Sequence, residues 1–318
     1  MTETTKTILD KYQVRKTKKQ KSEFIDYLTS SAKNMGYTPT VESGSLGSRN
    51  VVIGDVSKAK VVYTAHYDTC PALPFPNFIT PKNFLIYFLY QIFITLIFLV
   101  IPLVTLEVIF MAIAKASGLG EDLSHIIFMV IYFLVLGGFL ALTMAGPANK
   151  HTVNDNTSGV TTLIDTMTIL PDELKSDVAF IFFDLEEAGL VGSKSFFKKH
   201  KDDMKNKLLV NFDCVSDGEN ILLVLSKKAR GYAKQLEEAF KANDNVKVEI
   251  ATKGVFYPSD QASFPCGVGV AALNYSKALR TYYMDKIHTG KDIVYREENI
   301  EFLTESSVKL AKILSSKQ

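Results

Sequence analysis

Cysteine is scarce in this chain. Cys70, Cys214 and Cys266 are the only three in 318 residues, and their scatter supplies neither a disulfide framework nor a CxxC metal site. They read as reduced thiols, which a cytosolic compartment would preserve. An excess of either charge is also missing: a formal net charge of +2 leaves no electrostatic case for nucleic acid as a partner. There is no repeat period and no low-complexity tract. Met1 to Lys21 has no apolar stretch of the kind a secretory signal needs, so the N-terminus is expected to stay in the cytosol.

Charge is locally absent as well. Residues 83–149 carry only Glu107, Lys115, Glu121 and Asp122, with no charge at all from Asn83 to Leu106 or from Leu123 to Asn149. A bilayer core needs about 20 apolar helical residues, and each run is long enough. The segment therefore reads as a transmembrane helical hairpin, with the first span ending near Leu106 and Pro102 tolerated as a kink. The alternative is a buried soluble hairpin or a dimerisation lid. Without the insert about 250 residues remain, enough for one domain with a sizeable core. The division expected is a discontinuous catalytic domain, 1–82 and 150–318, interrupted by the hairpin at 83–149.

Five side chains able to bind metal fall along the rest of the chain: His66 in AHYDT, Asp155 in VNDNTSG, Glu187 in FFDLEEAGLVGS, Asp213 in NFDCV and His288 in IHTGKD. Glu186 adjoins one of them. A hydrolytic site with two metals needs mixed imidazole and carboxylate ligands and a spare carboxylate to move a proton. His66 ends the run VVYTAH, Glu186 and Glu187 follow AFIFFDL, and Asp213 ends LLVNF. Three polar positions thus lie just beyond three strand-like runs. In open α/β sheets that carboxyl edge is where ligands bind.

With PSDQASF, these stretches resemble the co-catalytic dizinc aminopeptidases of the bacterial leucyl aminopeptidase and aminopeptidase Y type, a family that also contains glutaminyl cyclases. The resemblance covers residues 1–70 and 150–318. It implies that Asp155 bridges two zinc ions, with His66 and Asp213 completing one site and Glu187 and His288 the other. Manganese or cobalt would suit the same ligands. It further implies Glu186 as general base to a hydroxide held between the metals, and Asp68 as a carboxylate orienting an imidazole ligand; the alternative for Asp68 is a turn residue ending its strand. Relatives often carry a histidine after the Ser-Asp pair, where this chain has Gln261, which weakens a catalytic role for Asp260. Tyr257 lies where relatives can place a phenol that stabilises an oxyanion, or it is a core tyrosine with its hydroxyl satisfied. Cys214, if it continues the strand, points away from Asp213.

Helices are expected over 5–35, 157–169, 228–242 and 297–315, and strands over 50–54, 60–67, 177–184, 208–215, 220–226, 246–251 and 268–275. That alternation implies a mixed, mostly parallel sheet flanked by helices. The basic residues Lys11, Arg15, Lys16, Lys18, Lys19 and Lys21 form either a face toward anionic headgroups or a solvated helix face. The leading functional reading is a membrane-anchored zinc aminopeptidase with its catalytic domain in the cytosol. Because the hairpin leaves the domain between His66 and Asp155, hydrophobic or membrane-derived peptides are the substrates expected. Two other readings remain: a glutaminyl-cyclase-like acyltransferase using one metal, and a non-catalytic membrane scaffold on a peptidase fold.

Overall fold

The computed structural model describes residues 1–316. Its sheet is built on β1 (Pro39–Ser43), β2 (Arg49–Ile53), β3 (Val61–His66), β4 (Val178–Phe183), β5 (Leu208–Phe212), β6 (Asn220–Leu225), β7 (Lys247–Ala251), β8 (Gly267–Ser276) and β9 (Thr281–Tyr283). The spatial order is β1-β2-β4-β3-β5-β8-β6-β7, with β9 paired to β8. The central strands β4, β3, β5 and β8 run parallel; β2 and β1 extend the sheet antiparallel on one side, and on the other β6 joins β8 antiparallel with β7 parallel to β6. This is the mixed, helix-flanked sheet expected.

Strands buried on both faces read as continuous apolar runs, as VVYTAH and VAFIFF do. Every residue of β3 and β4 is buried. Their side chains alternate between two cores. Val178, Phe180 and Phe182 join Val61, Tyr63 and Ala65 on the face covered by α1 (Glu3–Lys11), α2 (Lys18–Asn34), α5 (Gly159–Ile169), α7 (Ala233–Ala239) and α8 (Glu297–Ser315). Ala179, Ile181 and Phe183 join Val62 and Phe196, the latter from α6 (Val191–Lys199), on the other face. Each such apolar side chain contributes about 1.5–3 kcal/mol by leaving water.

The N-terminal segment departs from expectation. It forms two helices, because Thr17 and Gln20 make a reciprocal capping box that starts α2 afresh. Arg15 in the connection is fully buried, and Lys21 is buried against Asp184, so the basic run is not one exposed face.

The insert forms α3 (Phe84–Ala116) and α4 (Glu121–Ala145), both long and apolar enough to cross a membrane. Only 11% and 6% of their apolar windows are buried, so both helices expose most of their apolar surface. The first helix continues past Leu106 to Ala116. Nothing from Glu107 to Ala116 breaks a helix, and termination waits for Gly118 (φ 77°), with Leu119 N–H donating to Ala114 O and Gly118 N–H to Lys115 O. A wide π turn at Leu96–Val100 precedes Pro102 and accommodates its ring.

The roots of the hairpin lie side by side. Pro71 bridges Ala148, Ala72 N–H donates to Pro147 O, and Asn149 N–H donates to Cys70 O. Phe256 packs against Phe84 and Tyr87, and Phe78 against Tyr90 and Tyr283, fastening the domain end of α3.

Candidate metal centre

At the carboxyl edge of β3, β4 and β5 the five expected ligands converge. His66 closes β3, Asp213 follows β5, and Glu186 and Glu187 lie in the turn after β4. Asp155 comes from the Val153–Ser158 loop that leads into α5, and His288 from the loop after β9. One oxygen of Asp155 faces His66 Nε2 at 3.3 Å, and Asp213 Oδ1 lies 3.5 Å from the same nitrogen. The other oxygen of Asp155 faces His288 Nε2 at 3.0 Å, with Glu187 Oε2 3.4 Å from that nitrogen. Asp155 thus stands between two ligand groups, one on each oxygen. Glu186 presents a carboxylate to the same cluster beside His66 and Glu187.

Backbone geometry aims these groups. Leu185 (φ 55°), Cys214 (φ 56°) and His288 (φ 61°) are all left-handed without being glycine, a conformation that costs on the order of 1 kcal/mol each and gathers at functional sites. At Cys214 the twist undoes the strand alternation expected there: its thiol turns back and donates to Asp213 Oδ1 at 3.1 Å. Gly159 is demanded by packing, since a Cβ there would lie 2.3 Å from Phe212 O.

Supporting hydrogen bonds fix the loops. Asp68 accepts the amides of Glu186 (3.0 Å) and Glu187 (3.2 Å), so its carboxylate holds the glutamate turn; His66 Nδ1 is 3.1 Å from Asp68 O and 3.6 Å from Asp68 Oδ1. Asp292 does the same for the other loop, accepting from Asn154 N–H (2.6 Å) and Asp155 N–H (3.0 Å). Asn154 Oδ1 in turn accepts from the amides of Ser216 and Asp217. The His288 loop is tied to the hairpin roots: Leu73 N–H donates to His288 O, and the Asn149 amide donates to Thr289 O at 3.0 Å. Arg15 lies behind both loops and donates to Tyr67 O and Thr157 Oγ1. Burial lowers its guanidinium to about 10, against the pull of Asp68 and Asp155.

The electrostatics suit a cation. Burial raises Glu186 well above the usual carboxylate range, Glu187 to about 8, Asp260 to about 7 and Asp292 to about 8. Asp155 is held low, because His288 and His66 outweigh its burial. His288 rises to about 9: burial opposes the rise, and Glu187 and Asp155 drive it. Glu187 Oε1 is buried without a hydrogen-bond partner. Concentrated buried carboxylates, imidazoles between them and an orphaned oxygen are what a divalent ion resolves. The donor set fits zinc.

Other expected residues fall differently. The Tyr257 hydroxyl donates to Asp213 O at 2.9 Å from a buried position, so its phenol holds the backbone of a candidate ligand. Gln261, where relatives often have histidine, bonds Tyr257 O and Asn211 and fills the space over Gly269. Asp260 is buried with neither carboxylate oxygen partnered. Sequence reasoning did not find the clamp of Asp292, although the residue closes the IHTGKD motif; nor did it find Cys70, whose sulfur lies among Asp155, Glu187 and His288.

A parallel-centred sheet with an acid and imidazole cage at its carboxyl edge has the architecture of a hydrolase. The chain belongs to peptidase family M28, whose sequence pattern matches residues 141–304. No curated protein matches the sequence. Among solved structures, the Legionella pneumophila LapA aminopeptidase is similar at 15% identity and a TM-score of 0.56, over 99% of this chain and 71% of that one. A Porphyromonas gingivalis glutaminyl cyclase is similar at 13% identity and 0.58, over 98% and 97%. A Zn-dependent exopeptidase from Parabacteroides distasonis is similar at 14% and 0.51, over 99% and 97%. These likenesses define the fold.

Proposed function

We propose that the protein is a membrane-anchored zinc metallopeptidase, an aminopeptidase, with two zinc ions held by His66, Asp155 and Asp213 on one side and Asp155, Glu187 and His288 on the other. The observation that carries this reading is the placement of Asp155, with one carboxylate oxygen toward each ligand group. A one-metal reading leaves the second group of candidate ligands without a role. Zinc so held would act as a Lewis acid toward the scissile carbonyl and bring proton loss from water into the neutral range.

The remaining work falls to side chains of this chain. Glu186 takes the proton of the attacking water and delivers it to the departing amine, from its place beside His66 and Glu187. Asp68 keeps the glutamate turn in place through two amides, and Asp292 keeps Asp155 in place through another two. α3 and α4 anchor the domain, which we place on the cytosolic side, so that peptides near or within the membrane surface are the substrates presented.

A mixed peptide library incubated in detergent, with the products read by mass spectrometry, tests the assignment. Loss of single N-terminal residues is expected, and Glu186→Gln should reduce turnover by about 10²–10⁴-fold while retaining metal. Cyclisation of N-terminal glutamine without peptide cleavage would replace this reading with the acyltransferase one. No turnover of either kind would favour the scaffold.

A further inference from the structure

Cys70 lies four residues beyond His66 and is fully buried. Its sulfur forms a compact group with one ligand atom each from Asp155, Glu187 and His288, all within 4.8 Å of one another. The other two thiols are placed otherwise: Cys214 donates to Asp213 Oδ1, and Cys266 packs in the apolar core. Glu187, a member of this group, also carries a buried oxygen, Oε1, with no hydrogen-bond partner. The backbone at Cys70 is held to the far root of the hairpin, by the Asn149 N–H to Cys70 O bond at 3.1 Å and by the bridge from Pro71 to Ala148.

We propose that Cys70 is the fourth protein ligand of the metal position formed by Asp155, Glu187 and His288. This rests on the dinuclear reading above and deepens it. Ligands 2.0–2.3 Å from zinc stand about 3.3–3.7 Å apart in a tetrahedron, so a cluster spanning at most 4.8 Å needs a closure on the order of 1 Å. One thiolate, one imidazole and two carboxylates then complete the coordination. Zinc sites with four protein ligands are structural, whereas catalytic ones keep a position open. The two positions therefore divide the work: the Glu187 side is closed and holds the cage together, and the His66 and Asp213 side, with three protein ligands, stays open to reactants next to Glu186. A thiolate also biases the closed position toward zinc and cadmium over manganese.

Cobalt substitution of the full-length protein in detergent tests this without reference to turnover. Cobalt(II) bound to nitrogen and oxygen ligands gives visible ligand-field bands, and a cobalt–thiolate bond adds an intense near-ultraviolet charge-transfer band. The charge-transfer band is expected in the wild type and in Cys214→Ser, and is expected to vanish in both Cys70→Ser and Cys70→Ala. By competition dialysis, the preference for cadmium over manganese should fall by about tenfold in the Cys70 variants. Ligand-field bands without the charge-transfer band in the wild type would overturn the role of Cys70 and leave the metal centre standing. Retention of the band in the Cys70 variants would equally overturn it. A wild type that takes up no cobalt, zinc or cadmium would overturn the metal centre itself, and Cys70 as its ligand with it.

Discussion

Leu185, Cys214 and His288, the three left-handed residues of the site, each sit at or beside a side chain that must turn inward. The same economy governs the charges around them. Lys21 and Asp184 form a 2.5 Å ion pair with side chains only 8% and 3% exposed, and the second oxygen of Asp184 accepts Arg49 N–H at 3.0 Å. This pair anchors the start of the turn that carries Glu186 and Glu187. Replacing Lys21 by methionine leaves a buried carboxylate without its cation, which costs about 3–5 kcal/mol. The lower end is expected here, because two backbone amides still reach Asp184. Thermal unfolding in detergent should shift down by roughly 5–10 °C; an unchanged melting temperature would show that the pair contributes nothing net. The five side chains proposed as ligands were legible in the sequence because each sits in its own short motif, and His66, Glu187 and Asp213 also follow apolar strand-like runs. Arg15, Lys21, Asn149 and Cys70 were not, since their roles arise from neighbours far away in the chain and no local pattern encodes that proximity.

At the scale of elements, the buried strands were the most legible. β3 and β4 are apolar throughout and fall within a residue or so of the runs read from the sequence. β1 escaped because it is an edge strand with no buried residue and a proline at its start. The long N-terminal helix was divided by the Thr17 cap, whose signal is a single side-chain pair inside an otherwise helical pattern. The two helices were legible as two uncharged runs, whereas the end of α3 at Gly118 lies beyond the uncharged run and was not marked by it. The proposed orientation of α3 and α4 gives a direct prediction. Cys70, Cys214 and Cys266 are buried and can stay in place. A cysteine at Ser117, exposed in the distal turn, should react with a membrane-impermeant maleimide in intact cells. One at Asn243, exposed on the domain, should require permeabilisation. The reverse pattern would place the domain outside.

Across the whole molecule, the proposed metal centre couples to proton activity. Glu187 rises to about 8 chiefly through burial; His288 rises to about 9 in spite of burial, through Glu187 and Asp155. Both must be free of protons to bind a cation, so below these values the metal has to displace their protons and above them it does not. Apparent zinc affinity should therefore strengthen as pH rises from about 6 through about 9, by up to roughly tenfold per pH unit for each proton released, and with Cys70 as a ligand it should keep rising above that, because burial holds the thiol well above its ordinary value. Competition against a chromophoric chelator at several pH values measures this directly. A flat profile would mean that neither group gives up a proton on binding.

The place of the hairpin in the chain has a further consequence for how the molecule is made. β3 pairs with β4 and β5, and both partners lie on the far side of α3 and α4 in the sequence. While the ribosome delivers the chain from its N-terminus, His66 and Cys70 emerge before the hairpin, and Asp155, Glu187, Asp213 and His288 only after it. The central sheet cannot close, and no ligand group can be complete, until both helices have been synthesised. On the anchoring reading, the nascent chain is committed to the bilayer while its peptidase is still in pieces, and proteolytic competence is acquired only at the membrane.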